Sequence, residues 1–325
     1  MLPQHAKING LARREAGSYG AGAFRCPANR SPTRMKQDIP RGILCIVLST
    51  LVLTAQDGMT KWLVESHHAG VLMFWRGLLA IPVAAAFHVM TGQRLSRLVS
   101  KKPGFTAYRS IMAGTCSMLV VLSFAYMPLA DALAVIFVSP LIITALSAVF
   151  LKEPVGWHRW GAVIVGFCGV LLITEPGQAP LTWVILIPLG AAFTGALRDI
   201  GSRQLGGVDP PTTTLFWAMV ASSAAGAVTL PFWGLTWPSP AEWGLLAVTA
   251  VMIAVAMWLI VLAFQMASGS AIAPYRYLSL IWAGLIGYAV WGDIPSETKL
   301  AGAGIVAASG LYIWWRETRL RAQQK

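Results

Sequence analysis

The chain has 325 residues, of which 56% are hydrophobic and only 12% are charged. A soluble chain of this size carries about twice that charged fraction. The composition therefore excludes a disordered chain, a nucleic-acid-binding domain and a disulfide-stapled scaffold. The 25 Lys and Arg against 13 Asp and Glu give a net charge of +12, concentrated before residue 42 and in short gaps between apolar stretches. This distribution is typical of a polytopic membrane protein.

The first 41 residues contain eight basic side chains and no apolar stretch of the kind that a signal peptide needs. We expect them to form a disordered basic tail in the cytoplasm. Met35 is an alternative start, because the sequence MKQDIPRG that begins there leads directly into the first apolar stretch.

Ten apolar stretches follow, most of about 20 residues, which is the length of a membrane-spanning helix. Pro and Gly residues mark most of the breaks between them. The predicted helices cover residues 42–63, 67–92, 104–128, 129–153, 158–175, 182–204, 210–233, 241–267, 269–292 and 299–315.

The basic residues other than Arg76, Arg109 and Arg276, which lie well within the stretches, predict the orientation. With the N-terminus in the cytoplasm, 20 of them fall on the cytoplasmic side and only Lys61 and Lys299 fall on the other side. Cytoplasmic connections carry such an excess of Lys and Arg. We therefore expect a multi-pass protein of the inner (plasma) membrane with both termini, including a short tail at 317–325, in the cytoplasm.

The two halves of the chain repeat one another at an offset of about 140 residues. Leu119–Phe124 (LVVLSF) corresponds to Leu259–Phe264 (LIVLAF), and Glu153 corresponds to Asp293. A repeat unit of five helices has an odd number of spans, so the second copy enters the membrane upside down. Inverted repeats around a site near the membrane centre recur among secondary transporters.

Several motifs together resemble the EamA module of the drug/metabolite transporter superfamily. They are Phe124–Ala134, Ser139-Pro140, Phe150–Pro154 and Trp160–Val170, with a weaker copy at Trp291–Pro295. The resemblance implies an all-α membrane protein of ten helices in two inverted five-helix modules, 42–178 and 179–316. It also implies a central substrate cavity, with no cofactor, metal or ATP.

Charged residues within the spans are the first candidates for the site, because each is costly in a membrane unless paired or hydrated. Asp57 and Lys61 have the spacing of an ion pair within one helix. Asp57 and Arg76 lie at similar depths, about 10 and 13 Å from the outer helix ends at 1.5 Å per residue. They are interpreted as a structural pair or as a gating or substrate-contacting pair.

Tyr275, Arg276 and Tyr277 form the second candidate. They follow Pro274, which removes a backbone hydrogen bond near the middle of the ninth span. An Arg between two Tyr side chains suits an anionic or heteroaromatic ligand. Three further residues are expected to line the cavity, namely Gln265, Ser139 and Trp282. Arg109 is instead expected to reach lipid headgroups, and Arg198 with Asp199 to form a pair at the membrane boundary.

The sequence thus predicts a secondary transporter of a small organic metabolite working by alternating access. Within the superfamily, Thr54–Leu63 is similar to uptake transporters for riboflavin and S-adenosylmethionine. Uptake of a heteroaromatic vitamin such as riboflavin is the first hypothesis. Uptake of S-adenosylmethionine, which would need the Asp57 carboxylate, and export of amino acids or other metabolites are the alternatives. An enzyme is not expected, because no nucleophile–base pair or metal motif occurs in the spans. The oligomeric state stays open, with a homodimer among the options.

Overall fold

The computed structural model describes residues 38–150, 157–173, 183–205, 209–267 and 272–323. Within these ranges the secondary structure is helical throughout, and no β-strand is present. Short 3-10 turns lie at Leu95–Leu98, Trp183–Ile185 and Ala273–Tyr277. The α-helices are α1 (Ile39–Ser66), α2 (Ala69–Met90), α3 (Pro103–Tyr126), α4 (Leu129–Ile136), α5 (Ser139–Phe150), α6 (Trp157–Ile173), α7 (Leu186–Leu205), α8 (Pro211–Trp233), α9 (Pro240–Met266), α10 (Leu278–Trp291) and α11 (Glu297–Gln323).

With α4 and α5 taken as one interrupted segment, the described helices form ten segments in the predicted order. Seven stretches among them are long and apolar enough to cross a membrane by length and composition, and α6 adds a shorter apolar stretch, Trp160–Ile173. The predicted all-α membrane fold class is therefore confirmed. Residues 1–37 and the Glu153–Pro154 motif lie outside the described residues.

Local chemistry sets several helix ends. The Asp38 side chain accepts a hydrogen bond from the backbone N of Arg41 at 3.3 Å and so caps the start of α1. Ser239 and Glu242 form a reciprocal capping box at the start of α9. At the other end of a helix, Gly292 ends α10 with a φ of 71°, a left-handed conformation that favours glycine.

The fourth and ninth segments, predicted at 129–153 and 269–292, are both interrupted. The sequence pattern predicted the break at Pro274 in the ninth segment but none in the fourth. α4 ends at Ile136 and α5 begins at Ser139, where Pro140 has no backbone N–H to continue the first helix. In the ninth segment a 3-10 turn containing Pro274 precedes α10. The two interruptions meet, because the rings of Phe137 and Tyr277 lie 5.3 Å apart.

Four pairs of helices make the most extensive contacts: α2 with α8, α3 with α7, α1 with α9, and α6 with α11. Small residues let the paired backbones approach closely. A Cβ added to Gly77 of α2 would lie 2.6 Å from the backbone N of Ser223 in α8. A Cβ added to Gly302 of α11 would lie 2.6 Å from the carbonyl oxygen of Gly169 in α6.

The ends of the bundle are named here by α1. The proximal face is the end at which α1 begins, and it includes the turn between α2 and α3. The distal face is the end at which α1 ends, and it includes the connections from α3 to α4 and from α10 to α11. The positions of charged groups on these two faces define the candidate site.

Candidate functional site

Two ion pairs at the distal face join the first half of the chain to the second. Lys299 Nζ lies 2.8 Å from Asp131 Oδ2, and Lys61 Nζ lies 3.7 Å from Asp293 Oδ2. Lys61 also donates to the carbonyl oxygen of Met127 at 3.3 Å. The expected Lys61–Asp57 pair within α1 is therefore replaced by a contact across the bundle, and Lys61 is only 7% exposed.

Little space remains between these pairs. The pocket bounded by Asp131, Asp293 and Lys299 has a volume of about 70 Å³. Since small-molecule sites have volumes of about 300–1,000 Å³, this space is too small for an organic metabolite. The distal face is closed at this point.

Arg76 lies deeper in the bundle and links three helices. Arg76 is 8% exposed, and its guanidinium donates to Thr60 Oγ1 at 3.3 Å and to Ser117 Oγ at 3.0 Å. Asp57 is half-buried and lies within electrostatic range of Arg76, but no salt bridge within 4.0 Å joins these two described residues. The structure thus brings the predicted Asp57–Arg76 pair into one neighbourhood, with hydroxyl groups between α1, α2 and α3.

A cavity of about 380 Å³ occupies the proximal half of the bundle. Parts of α2, α3, α7, α8 and α9 line it, and its volume falls within the range of small-molecule sites. Its walls include apolar side chains such as Phe87, Met219 and Met257. Its polar lining includes Arg109, Ser117, Arg198, Asp199, Thr214 and Ser222.

Ser117 connects this cavity to the Arg76 cluster, because its hydroxyl accepts the Arg76 hydrogen bond and its side chain also lines the cavity. The other end of the cavity is charged. Arg109 Nε donates to Ser202 Oγ at 2.7 Å, and Arg109 Nη1 donates to the carbonyl oxygen of Thr214 at 3.1 Å. The cavity therefore extends from the charged groups near the proximal end of α3 to Ser117, which contacts the buried guanidinium of Arg76.

Tyr275, Arg276 and Tyr277 lie outside the proximal cavity. The two tyrosines line a wide apolar groove of about 840 Å³ along α10 and α11, and the Arg276 side chain is exposed. Tyr275 packs near Ile46, which is about 16 Å along α1 from Asp57. Tyr277 packs against Phe137 and the backbone at Gly310. These three residues do not line the proximal cavity.

The remaining predicted site residues are dispersed. Gln265 is exposed near the end of α9, and Ser139 faces Gly195 of α7. The indole nitrogen of Trp282 is buried in α10 and has no hydrogen-bond partner among the described residues. Of the eight predicted site residues, the structure therefore brings together Asp57 and Arg76.

Arg109, Arg198 and Asp199 are the site residues that sequence reasoning did not select. They lie close to the predicted helix ends, so depth alone assigned them to the membrane boundary. The expected Arg198–Asp199 pair does form, with Nε and Oδ1 2.9 Å apart, but it lines the cavity. The sequence signal that could have indicated this site was the presence of polar residues, Ser202 and Thr214, near the adjoining helix ends.

Comparisons with known proteins agree with this geometry. Residues 40–175 match the EamA-like transporter family. The chain is 27% identical to the S-adenosylmethionine uptake transporter of Rickettsia bellii over 87% of this chain and 96% of the relative. It is 30% identical to the riboflavin transporter of Vibrio cholerae over 61% of this chain and 66% of the relative. A crystal structure with 16% identity shares the fold, with a TM-score of 0.59 over 88% of this chain and 99% of that chain.

The helical segments of membrane-spanning length and the relatives named as transporters together indicate a membrane transport protein. Residues 40–175 form an EamA-like transporter domain, as the motifs predicted.

Proposed function

We propose that this protein is an inner-membrane secondary transporter that takes up a small organic metabolite by alternating access. The observation that carries the proposal is the contrast between a cavity of about 380 Å³ in the proximal half and a closed distal face. In the orientation predicted by the basic residues, the cavity lies on the cytoplasmic side. The conformation is then inward-facing.

The helix pairing supports two inverted five-helix repeats. Counting segments from one to ten, the third pairs with the sixth (α3 with α7) and the first with the eighth (α1 with α9). If each segment is exchanged with the one five places away, segments three and six become segments eight and one, so the first of these pairs becomes the second. The same exchange maps the α2–α8 and α6–α11 pairs onto themselves. Phe137 and Tyr277, which are 140 residues apart, meet where the interrupted segments cross.

The distal ion pairs serve as the outer gate in this proposal. Each pair joins residues 42–178 to residues 179–316, so outward opening must break both Lys61–Asp293 and Lys299–Asp131. Water then replaces the lost contacts at the outer face, and the proximal cavity closes around α3, α7 and α8. Glycine contacts such as Gly302 on Gly169 allow one module to rock on the other.

Two relatives suggest the substrate: one is named a riboflavin transporter and the other an S-adenosylmethionine uptake transporter. In riboflavin uptake, Tyr275, Arg276 and Tyr277 would provide ring faces and a cation from outside the proximal cavity, and Trp282, Gln265 and Ser139 also lie outside it. In S-adenosylmethionine uptake, the half-buried carboxylate of Asp57 would face the sulfonium cation, with Arg76 fixing its position.

Counterflow in proteoliposomes tests the function. Vesicles containing the purified full chain are loaded in parallel with riboflavin, with S-adenosylmethionine or with mixed amino acids, and the matching labelled solute is added outside. We expect label to accumulate for one of these solutes without ATP and without accumulation in protein-free vesicles. A lack of accumulation for all three, with protein that is folded and oriented in both directions, would contradict uptake of these substrates.

A further inference from the structure

The charged end of the proximal cavity contains more positive than negative charge. Arg109, Arg198 and Asp199 line it together, and Arg109 lies within electrostatic range of the other two. Two guanidinium groups and one carboxylate leave one positive charge in excess. Because the Arg198 and Asp199 side chains are only 33% and 37% exposed, the unbalanced positive charge is partly shielded from water and favours an anionic group at this end of the cavity.

The hydrogen bonds of Arg109 and Arg198 show which of their N–H donors are still available to an anionic group. Arg109 uses Nε and Nη1 to hold Ser202 and Thr214, whereas no bond to its Nη2 is recorded among the described residues. Arg198 uses Nε for the adjacent Asp199. Its Nη1 and Nη2 have no recorded partner in the part of the chain that the structure describes. A guanidinium carries five N–H donors, so both arginines keep donors for a carboxylate.

Asp199 narrows the class of anion. Its Oδ1 accepts from Arg198, while its Oδ2 has no recorded partner among the described residues. A dianion such as a phosphate monoester would be repelled by this carboxylate. A carboxylate with an ammonium group on the same carbon would satisfy the arginines and Asp199 together.

We propose that Arg109, Arg198 and Asp199 bind the α-amino-carboxylate head group of the substrate. This inference rests on the proposed transport function and names the chemical class of its substrate. The two arginines donate to the substrate carboxylate, and Asp199 accepts from the ammonium group. The apolar wall formed by Phe87, Met219 and Met257 then contacts the remainder of the molecule.

Among the solutes named for the relatives, S-adenosylmethionine carries such a head group and riboflavin does not. The site therefore discriminates between the two substrate hypotheses. Arg76 and Asp57 lie beyond Ser117, farther into the bundle, on the side toward which the adenosyl group of the same molecule would extend. One extended substrate would thus occupy the cavity between the two clusters.

Ligand-induced thermal stabilisation of the purified full chain tests the head-group site without requiring transport. The ligands are S-adenosylmethionine, S-adenosylhomocysteine, decarboxylated S-adenosylmethionine and 5′-methylthioadenosine. We expect the first two to stabilise the protein. Decarboxylated S-adenosylmethionine lacks the carboxylate, 5′-methylthioadenosine lacks the whole head group, and both should bind at least about tenfold more weakly. Equal stabilisation by 5′-methylthioadenosine and S-adenosylhomocysteine, or stabilisation by riboflavin alone, would overturn the proposal.

The decisive variant is Arg198→Gln, with Arg97→Gln as the matched control. Arg97 is exposed at the same face and does not line the cavity. Arg198→Gln should weaken S-adenosylhomocysteine binding about tenfold or more and leave 5′-methylthioadenosine binding unchanged. Arg198→Lys, which keeps the charge, should recover part of the affinity and controls for misfolding. Unchanged affinity in Arg198→Gln would refute the site, and an unchanged Asp199→Asn variant would refute its ammonium contact.

Measuring ligand binding and counterflow separately distinguishes the proposed transport function from the proposed head-group site. Head-group-dependent stabilisation without counterflow would support the site and contradict the transport mechanism. Counterflow of riboflavin with no head-group-dependent stabilisation would support transport and overturn the head-group site.

Discussion

The distal and proximal faces carry similar charged groups but use them differently. At the distal face, Lys299 pairs with Asp131 across 168 positions of sequence, and Lys61 pairs with Asp293. At the proximal face, Arg198 pairs with its own neighbour, Asp199. A pair that is distant in sequence fastens two segments together, whereas a pair between neighbours fastens nothing and leaves donors in the cavity. At these two faces, sequence separation therefore distinguishes the ion pairs that join the two halves of the chain from the pair that lines the cavity.

The largest effect is expected from the contact between α2 and α8, on which both faces depend. Gly77→Val would place a branched side chain 2.6 Å from the Ser223 backbone, so the helices would have to separate. We expect destabilisation of about 3 kcal/mol and loss of monodisperse protein by fluorescence-detected size-exclusion chromatography. Gly244→Val is the control, because a Cβ there meets nothing within 4 Å. Equal stability of the two variants would argue against this helix crossing.

The second-largest loss of stability is expected from the buried cluster around Arg76, which lies between the two faces. Arg76→Ala removes a guanidinium that donates to Thr60 and Ser117, so we expect destabilisation of about 2 kcal/mol in a thermal unfolding assay. Asp57→Ala should also impair folding, because it leaves the Arg76 charge without its nearest carboxylate. The double variant Asp57→Arg, Arg76→Asp should recover part of the lost stability. A double variant that is worse than both single variants would show that the two groups do not act as a pair.

A smaller effect should distinguish the two distal pairs. A double-mutant cycle with Lys299→Ala and Asp131→Ala is expected to give a coupling free energy of about 1 kcal/mol, because the 2.8 Å contact is partly shielded from solvent. Lys61 and Asp293, 3.7 Å apart, should couple more weakly. Thermal unfolding of the single and double variants measures both cycles. Zero coupling in both would remove the ion pairs from the proposed outer gate.

The smallest effect is expected at Arg276, which is exposed and outside the proximal cavity. Arg276→Gln should change the apparent affinity in counterflow by less than about twofold, in contrast with Arg198→Gln. Counterflow is measured for both variants in vesicles prepared in the same way. A complete loss of transport in Arg276→Gln, with normal insertion and folding, would return Tyr275, Arg276 and Tyr277 to the centre of the site.

Much of the fold was predictable because apolar stretches of spanning length and the breaks between them are local features. The order of the ten segments followed from them, and so did the EamA assignment, which depends on short motifs such as Trp160–Val170. The interruption between α4 and α5 was missed, although Pro140 was visible. A proline in a long apolar stretch breaks or only kinks a helix depending on what its neighbours supply.

The candidate site was less predictable, since the depth of a charge along a helix does not say which way its side chain points. Asp57 and Arg76 were found because they share a depth on consecutive helices. Arg109 and Arg198 share a cavity only because α3 packs on α7, and that pairing is absent from any local pattern. Lys61 illustrates the same limit, because it turns to Asp293 on a distant segment rather than to the surface.

The sequence by itself determined the membrane-spanning class, the number of segments, the family and the charge asymmetry, since each depends on composition or on neighbours along the chain. Only the tertiary structure decided which charges close the distal face and which line the proximal cavity. The physical reason is that a charge in a low-dielectric environment acts on the groups within a few ångströms of it, and helix packing brings those groups together from distant parts of the sequence.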